Sequence, residues 1–174
     1  MNVSVVKFDE QFAAAFAALN YQWIEHYFKV EEEDRKALDN PVKYALEPGG
    51  EIFFVLEDGE PVGTVAIVPK EVPKEVPKQA AEQMPKPTKE ASKCVFELAK
   101  MAVRPDRQGR GYSKLLMDHC LDFARAQGAD EVMLVTNDIL APALGLYTAA
   151  GFVATQYSDS RYERGNLEMH LTLA

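Results

Sequence analysis

Hydrophobic runs at the start of the chain predict one strand followed by helices. Residues 3–8 are rich in valine and predict the strand. Residues 9–28 begin with acidic side chains and are rich in alanine, and both features favour a helix. The helical pattern continues until Pro41 breaks it and the pair Gly49-Gly50 ends it.

The segment 51–68 has the pattern of a β-hairpin. Two runs of β-branched and aromatic residues flank Asp58-Gly59, a dipeptide that favours a tight turn between antiparallel strands. The composition then changes abruptly. Residues 69–93 repeat the motif KEVP and contain five prolines and six lysines, a density that resists both helix and sheet. We interpret them as a loop inserted between two strands of one sheet, either a tolerated surface insertion or a docking segment.

The second half of the chain alternates strands and helices. Residues 94–103 predict a strand, 111–128 an amphipathic helix and 131–137 a buried strand, and such a βαβ unit pairs its strands in parallel. A short helix at 141–152 and two closing strands follow. We therefore predict a mixed α/β fold (α+β mixed), with a central sheet of about seven strands flanked by helices, formed by a single domain over residues 1–174.

Composition excludes several classes of protein. The net charge is -8, with 27 acidic against 19 basic residues, which argues against nonspecific binding to nucleic acid. The two cysteines and three histidines form no metal-ligand motif, so we expect no metal site and interpret the thiols as core residues. No leader-like or membrane-spanning apolar run is present, so we expect a reduced, cytoplasmic protein that does not bind membranes.

A glycine turn between the strand 94–103 and the next helix carries the main chemical signal. Its sequence matches neither the dinucleotide GxGxxG pattern nor the Walker loop. Its glycines nevertheless leave the main chain bare at a helix start, where N–H groups lack partners and the helix dipole is positive. Phosphate or pyrophosphate is a natural occupant of such a turn, and Arg104, Arg107 and Arg110 add positive charge. The alternative is an ordinary capped turn with solvated arginines.

The turn and a later helix resemble those of the GNAT superfamily of N-acetyltransferases. The acetyl-CoA loop of that family is [RQ]-x-x-G-x-[GA], and here the segment from Gln108 reads QGRGYS, with Ser113 as a mild departure. A tyrosine followed four residues later by Gly-Phe is a second family mark, seen here as Tyr147 and Gly151-Phe152. The resemblance covers the chain from about residue 51 onwards and implies a GNAT fold with a splayed sheet.

The resemblance implies a set of contacts to acetyl-CoA, the expected cosubstrate. Backbone N–H groups of the loop would bind the pyrophosphate, and the strand before the loop would pair with the pantetheine arm. Asn137 follows the next strand and is a further candidate contact, or it caps the next helix, since Leu140 stands where relatives often carry an asparagine. The cofactor-binding residues expected in this way are Met101, Ala102, Val103, Gln108, Gly109, Arg110, Gly111, Tyr112, Ser113 and Asn137.

The resemblance also implies catalytic roles. Tyr147 takes the position of the family's general acid, which protonates the departing thiolate; the alternative is a core tyrosine with a bonded hydroxyl. Glu97 lies in an apolar strand, where some members carry a general base, or it faces solvent or a lysine. A backbone N–H near Met101 would stabilise the oxyanion. Candidates for walls of the acceptor pocket are the aromatics Tyr21, Trp23, Tyr27 and Phe28, whose alternative is a place in the core, together with Arg161, Tyr162 and Arg164.

The function that follows is transfer of an acetyl group from acetyl-CoA to a primary amine of a small molecule or peptide, by direct attack and without an acyl-enzyme. The alternative is a catalytically silent CoA-binding sensor or interaction module. A sheet with exposed C-terminal strands is compatible with a homodimer.

Overall fold

A computed structural model describes residues 1–70, 93–155 and 164–173. They form a seven-stranded sheet in the order β1-β2-β3-β4-β5-β7-β6. All neighbours in the sheet are antiparallel except β4 and β5, which are parallel. This sheet confirms the predicted mixed α/β fold. The strands are Val3–Lys7 (β1), Glu51–Glu57 (β2), Glu60–Lys70 (β3), Val95–Val103 (β4), Glu131–Thr136 (β5), Val153–Thr155 (β6) and Leu167–Thr172 (β7).

Helices cover both faces of the sheet. The described residues contain four α-helices: Ala13–Tyr27 (α1), Glu32–Leu38 (α2), Tyr112–Ala126 (α3) and Ala141–Ala150 (α4). One hydrophobic core includes Leu116 and Cys120 of α3 and Tyr147 of α4, packed against the sheet. A second core packs Phe16 and Ile24 of α1 against the opposite face. The sheet therefore lies between α3 and α4 on one side and α1 and α2 on the other.

The predicted hairpin is confirmed between β2 and β3. Asp58 and Gly59 both have positive φ, 49° and 84°, as a tight hairpin turn of the primed type requires. Strand β3 runs on to Lys70, two residues beyond the predicted end. The predicted insertion at 69–93 therefore begins later than expected, and its residues 71–92 lie outside the described part of the chain.

The parallel pair β4 and β5 separates soon after it begins. Pairing joins only three residue pairs, from Val95↔Glu131 to Glu97↔Met133, although β4 continues to Val103. Strand β4 also carries a bulge, because its register with β3 shifts between Thr64 and Ala66. Lys100 lies in this bulge with a φ of 55°, the left-handed region that a lysine rarely adopts. The predicted splay of the sheet is thus present, and it opens a gap beside β4.

The break at Pro41 is confirmed: α2 ends at Leu38, and a separate helical turn over Val42–Leu46 with π-type bonding follows Pro41 and ends before Gly49. The expectation for the two cysteines needs correction. Only Cys120 is a core thiol. Cys94 is exposed at the start of β4, where its N–H donates to Asp130.

Candidate active site

A cavity of about 530 Å³ lies in the gap between β4 and β5. It is lined by the glycine turn, by β4 from Glu97 to Val103, by the end of β5, and by one face of α4. Residues from the C-terminal half of α1 line it as well. Because α1 and α3 pack on opposite faces of the sheet, the cavity is bounded by elements from both sides.

The glycine turn presents bare main chain to this cavity. Gly109 and Gly111 have φ of 79° and 82°, and no atom lies within 4 Å of the place where a Cβ would stand on either. Gly111 is the N-cap of α3 and provides no side chain to the first N–H groups of that helix. Of the predicted loop contacts, Gln108, Gly109, Gly111, Tyr112 and Ser113 line the cavity. This geometry suits an anion bound by amides at a helix start.

Gly111 gives a test of this backbone conformation. We expect Gly111→Ala to lower the free energy of unfolding by about 1 kcal/mol, because an L-side chain is strained at positive φ. Gly145→Ala is the matched control, since Gly145 is helical and also has nothing near its Cβ position. Alanine there is expected to stabilise the protein slightly. Urea unfolding of both variants measures the difference, and equal stabilities would contradict the strain.

The arginines around the turn form ion pairs with carboxylates. The sequence had suggested either free charges for a ligand or solvated side chains, and neither description fits. Arg107 Nε and Arg110 Nη1 lie 2.6 and 2.8 Å from the two carboxylate oxygens of Glu57. Arg104 donates to Asp106 at 2.6 Å and to Glu60 at 3.0 Å. The side chain of Arg110 is therefore directed to an ion pair and is absent from the cavity lining, whereas Arg107 lines the cavity while paired with Glu57.

Glu57 accepts a third hydrogen bond from the hydroxyl of Tyr112. This bond, followed by those from Arg107 and Arg110, holds the pKa of Glu57 below its usual value despite burial. Glu57 is thus ionised at neutral pH and links the end of β2 to the glycine turn. Sequence reasoning missed this carboxylate, because nothing local marks a residue whose partners lie 50 to 55 positions away.

The segment of β4 that was predicted to pair with the pantetheine arm lies beside the gap between β4 and β5. Met101, Ala102 and Val103 line the cavity and lie beyond the three residue pairs that join β4 to β5. Their main-chain groups on that side of β4 are therefore not used by the β4–β5 ladder. The bulge at Lys100 comes immediately before Met101 and changes the direction of the backbone there.

Tyr147 and Glu97 line the same cavity. Tyr147 is 8% exposed, and its ring packs against Phe152 with centroids 6.0 Å apart. Burial raises the pKa of Tyr147 to about 12, with a smaller effect from Cys120, so the phenol is protonated at neutral pH. No described residue is recorded as a hydrogen-bond partner of its hydroxyl. Glu97 is half-buried on β4 and is one of the residues that line the cavity.

Asn137 lies at the mouth of the gap with its side chain bonded to the main chain. Its Nδ2 donates to the carbonyl of Arg164 at 2.6 Å, and its Oδ1 accepts from the N–H of Ile139 at 3.0 Å. Asn137 therefore stabilises a turn and does not cap α4, whose N-cap is Leu140. Asn137 and Leu140 both line the cavity.

The expected acceptor residues are only partly brought together. Trp23, Tyr27 and Phe28 form an aromatic cluster that lines the cavity, with the ring of Trp23 5.4 and 5.9 Å from the other two. Tyr21 is not part of this lining, and its hydroxyl donates to Asp39 at 2.8 Å. Arg164 lines the cavity. The predicted residues Arg161 and Tyr162 lie outside the described part of the chain.

A buried cluster of charges closes this end of the cavity. Asp34 is fully buried and accepts from Lys100 at 3.0 Å and from Arg164 at 2.6 and 2.8 Å. It also accepts from the backbone N–H of Glu31, whose carboxylate pairs with Arg164 at 2.9 Å. Burial alone would raise the pKa of Asp34, but the bonds from Arg164, Glu31 and Lys100 outweigh it and lower the pKa to about 2. Sequence analysis missed this cluster.

Comparison with known proteins agrees with this arrangement. The model of the acetyltransferase (GNAT) family matches residues 16–152. Human N-acetyltransferase 8B is 32% identical over 125 residues, which are 71% of this chain and 48% of that protein. The chain thus spans about half the length of this relative.

Solved structures share the fold. A GNAT acetyltransferase from Staphylococcus aureus Mu50 aligns with a TM-score of 0.78 at 16% identity, over 99% of this chain and 100% of that one. A putative acetyltransferase from Salmonella typhimurium, solved with its cofactor acetyl-CoA, has a TM-score of 0.69 at 18% identity, over 100% and 95% of the two chains.

The sheet and its helices have the fold of acetyltransferases of known structure. More particularly, the chain belongs to the GNAT family of acetyltransferases, which confirms the resemblance seen in the turn and the tyrosine helix. Among the described residues, no helix combines the length and apolar character needed to cross a bilayer.

Proposed function

We propose that the protein transfers an acetyl group from acetyl-CoA to a primary amine of a small molecule or peptide by direct attack. One observation carries the proposal: a single cavity joins a bare-amide turn, the open edge of β4, a protonated tyrosine and a carboxylate. The turn can bind an anion, and the strand edge can form hydrogen bonds with an arm that contains amides. The two side chains can transfer protons.

Each part of acetyl-CoA has a matching surface. The diphosphate is assigned to the N–H groups of residues 108–113 at the start of α3. The amides of the pantetheine arm are assigned to the β4 edge at Met101, Ala102 and Val103. Asn137, with its side chain held by the main chain, forms one wall of the gap. Backbone groups are the main recognition elements in this scheme; Arg107 also lines the cavity, but its guanidinium is paired with Glu57.

The chemistry needs a proton acceptor, an oxyanion donor and a proton donor. Glu97 accepts the proton of the attacking amine, which forms the C–N bond to the acetyl carbon as the C–S bond breaks. The N–H next to the bulge at Met101 stabilises charge on the carbonyl oxygen. Tyr147 holds the proton that the departing thiolate takes, because burial raises the pKa of its phenol to about 12 and keeps it protonated at neutral pH.

The binding step is tested by thermal unfolding with and without acetyl-CoA. A ligand that binds one site on the folded state is expected to stabilise it by about 2.7 kcal/mol at a hundredfold excess over Kd. Calorimetry on the same samples gives the Kd directly. An unchanged melting curve together with no heat of binding would contradict acetyl-CoA as the cosubstrate.

Transfer is tested by release of the CoA thiol over a panel of amino acids, polyamines, aminoglycosides and peptides. Thiol release that depends on one of these amines supports an N-acetyltransferase and identifies the acceptor. Tight binding with no release for any amine favours the alternative, a silent CoA-binding module. The cytoplasmic location and the homodimer expected from the sequence stay predictions.

A further inference from the structure

The carboxylate of Glu57 is bound entirely by the glycine turn and the start of α3. Glu57 ends β2, is 6% exposed and does not line the cavity. Its two oxygens receive Arg107 at 2.6 Å, Arg110 at 2.8 Å and the hydroxyl of Tyr112. Arg110 and Tyr112 belong to the segment 108–113 whose amides are assigned to the ligand, and Arg107 directly precedes that segment.

Electrostatics alone does not account for a carboxylate at this place. The described ion pairs around the turn combine three arginines with three carboxylates: Arg104, Arg107 and Arg110 with Glu57, Glu60 and Asp106. The formal charges of this set cancel. A buried anion next to a site for a diphosphate disfavours the ligand by simple charge repulsion. A compensating benefit must therefore come from geometry.

The turn needs an external anchor because it has little internal restraint. Gly109 and Gly111 both lack contacts at their Cβ positions, and glycine loses more conformational freedom on ordering than any other residue. Gly111 offers no side-chain cap to α3. Bonds from Glu57 to residues on both sides of Gly111, namely Arg110 and Tyr112, fix the turn from outside.

We propose that Glu57 is a positioning residue for the diphosphate turn, which it holds in its binding conformation before the ligand arrives. The inference rests on the proposed function, in which this turn binds acetyl-CoA. Ordering a flexible turn on binding costs free energy and weakens affinity, and a turn that is already ordered avoids this cost. Glu57 therefore strengthens binding although its charge opposes the ligand.

Two matched substitutions separate geometry from charge. Glu57→Gln and Glu60→Gln each remove one negative charge beside the turn, but Glu60 is 68% exposed and bonds only Arg104 among the described residues. Charge alone predicts that both variants bind acetyl-CoA more tightly. Positioning predicts that Glu57→Gln raises the Kd for CoA about tenfold, while Glu60→Gln leaves it equal or lower. Calorimetry with CoA measures both, and a Glu57→Gln variant that binds as tightly as Glu60→Gln overturns the inference.

Kinetics adds an independent readout. A positioning role predicts that Glu57→Gln raises KM for acetyl-CoA while kcat at saturation stays within about twofold of the wild type. A fall in kcat with unchanged KM overturns it. Thermal unfolding without ligand shows whether Glu57→Gln folds; should it not, Tyr112→Phe keeps the charge, removes one of the three bonds and is expected to weaken CoA binding about threefold.

Failure of this inference is distinguishable from failure of the proposed function. A wild-type protein that gives no heat with CoA overturns both. A wild type that binds CoA, beside a folded Glu57→Gln that binds it equally well, overturns only the role of Glu57. A Tyr112→Phe variant with wild-type affinity counts against it in the same way.

Discussion

Replacing Tyr147 with phenylalanine is expected to lower kcat by about a hundredfold or more, because general-acid catalysis contributes roughly 10²–10⁴ to a rate. The substitution removes a hydroxyl that has no recorded partner among the described residues and leaves the ring that packs on Phe152 in place. The fold and the Kd for CoA should therefore change little. Thiol-release kinetics at saturating substrate measures the effect.

Tyr21 supplies the matched control for Tyr147. Its hydroxyl bonds to Asp39 away from the cavity, and burial with that bond raises its pKa to about 12 as well. Tyr21→Phe should leave kcat within about twofold of the wild type, since Tyr21 does not line the cavity. A Tyr147→Phe variant with the kcat of Tyr21→Phe would contradict the acid role and support the silent-binding alternative.

Replacing Asp34 with alanine is expected to destabilise the protein by about 3–5 kcal/mol, the usual cost of removing one partner of a buried ion pair. Asp34 is fully buried and receives both nitrogens of the Arg164 fork together with Lys100. Its loss would leave Lys100, 6% exposed, without this carboxylate. Urea unfolding at neutral pH measures the difference.

The neighbouring Glu33 is a suitable control, because its side chain is 37% exposed and pairs with Lys36 within one turn of α2. Glu33→Ala should change stability by less than about 0.5 kcal/mol. Comparable losses for the two variants would contradict the importance of the buried cluster.

Asp34 also predicts a dependence of stability on pH. Its pKa is lower in the folded state, about 2 against the ordinary 3.8, so its stabilising effect is fully present above pH 3.8 and is lost as the pH falls towards 2. Between pH 3.8 and pH 2, the free energy of unfolding should therefore fall less steeply for Asp34→Ala than for the wild type. An equally steep fall in both proteins would contradict the assignment of that titration to Asp34.

Features encoded locally were predictable from the sequence. The hairpin at Asp58-Gly59, the βαβ unit and the glycine turn each depend on residues close together along the chain, and the structure places all three as expected. The family motif also indicated Tyr147 and the residues of the glycine turn, which line the cavity apart from Arg110. Motif and pattern were sufficient here because backbone conformation, not a particular side chain, is what these elements require.

Long-range pairing was not predictable. Arg107 and Arg110 looked like ligands for phosphate, but they bind a carboxylate 50 and 53 residues away. The bonds from Lys100 and Arg164 to Asp34 span 66 and 130 residues. The sequence does not show whether a charged side chain is solvated or paired, because neither hydrophobic periodicity nor turn residues identify a distant partner.

The short seam between β4 and β5 has a mechanical consequence. Strands β4 and β5 pair over only three residue positions, Val95↔Glu131 to Glu97↔Met133, and this short ladder joins the half-sheet β1–β4 to the half-sheet β5–β7. A ligand that binds in the gap and forms hydrogen bonds with β4 adds a connection between the two half-sheets and holds them together. Ligand binding and the rigidity of the protein are then linked. We expect the ligand-free protein to bend more easily along the boundary between β4 and β5.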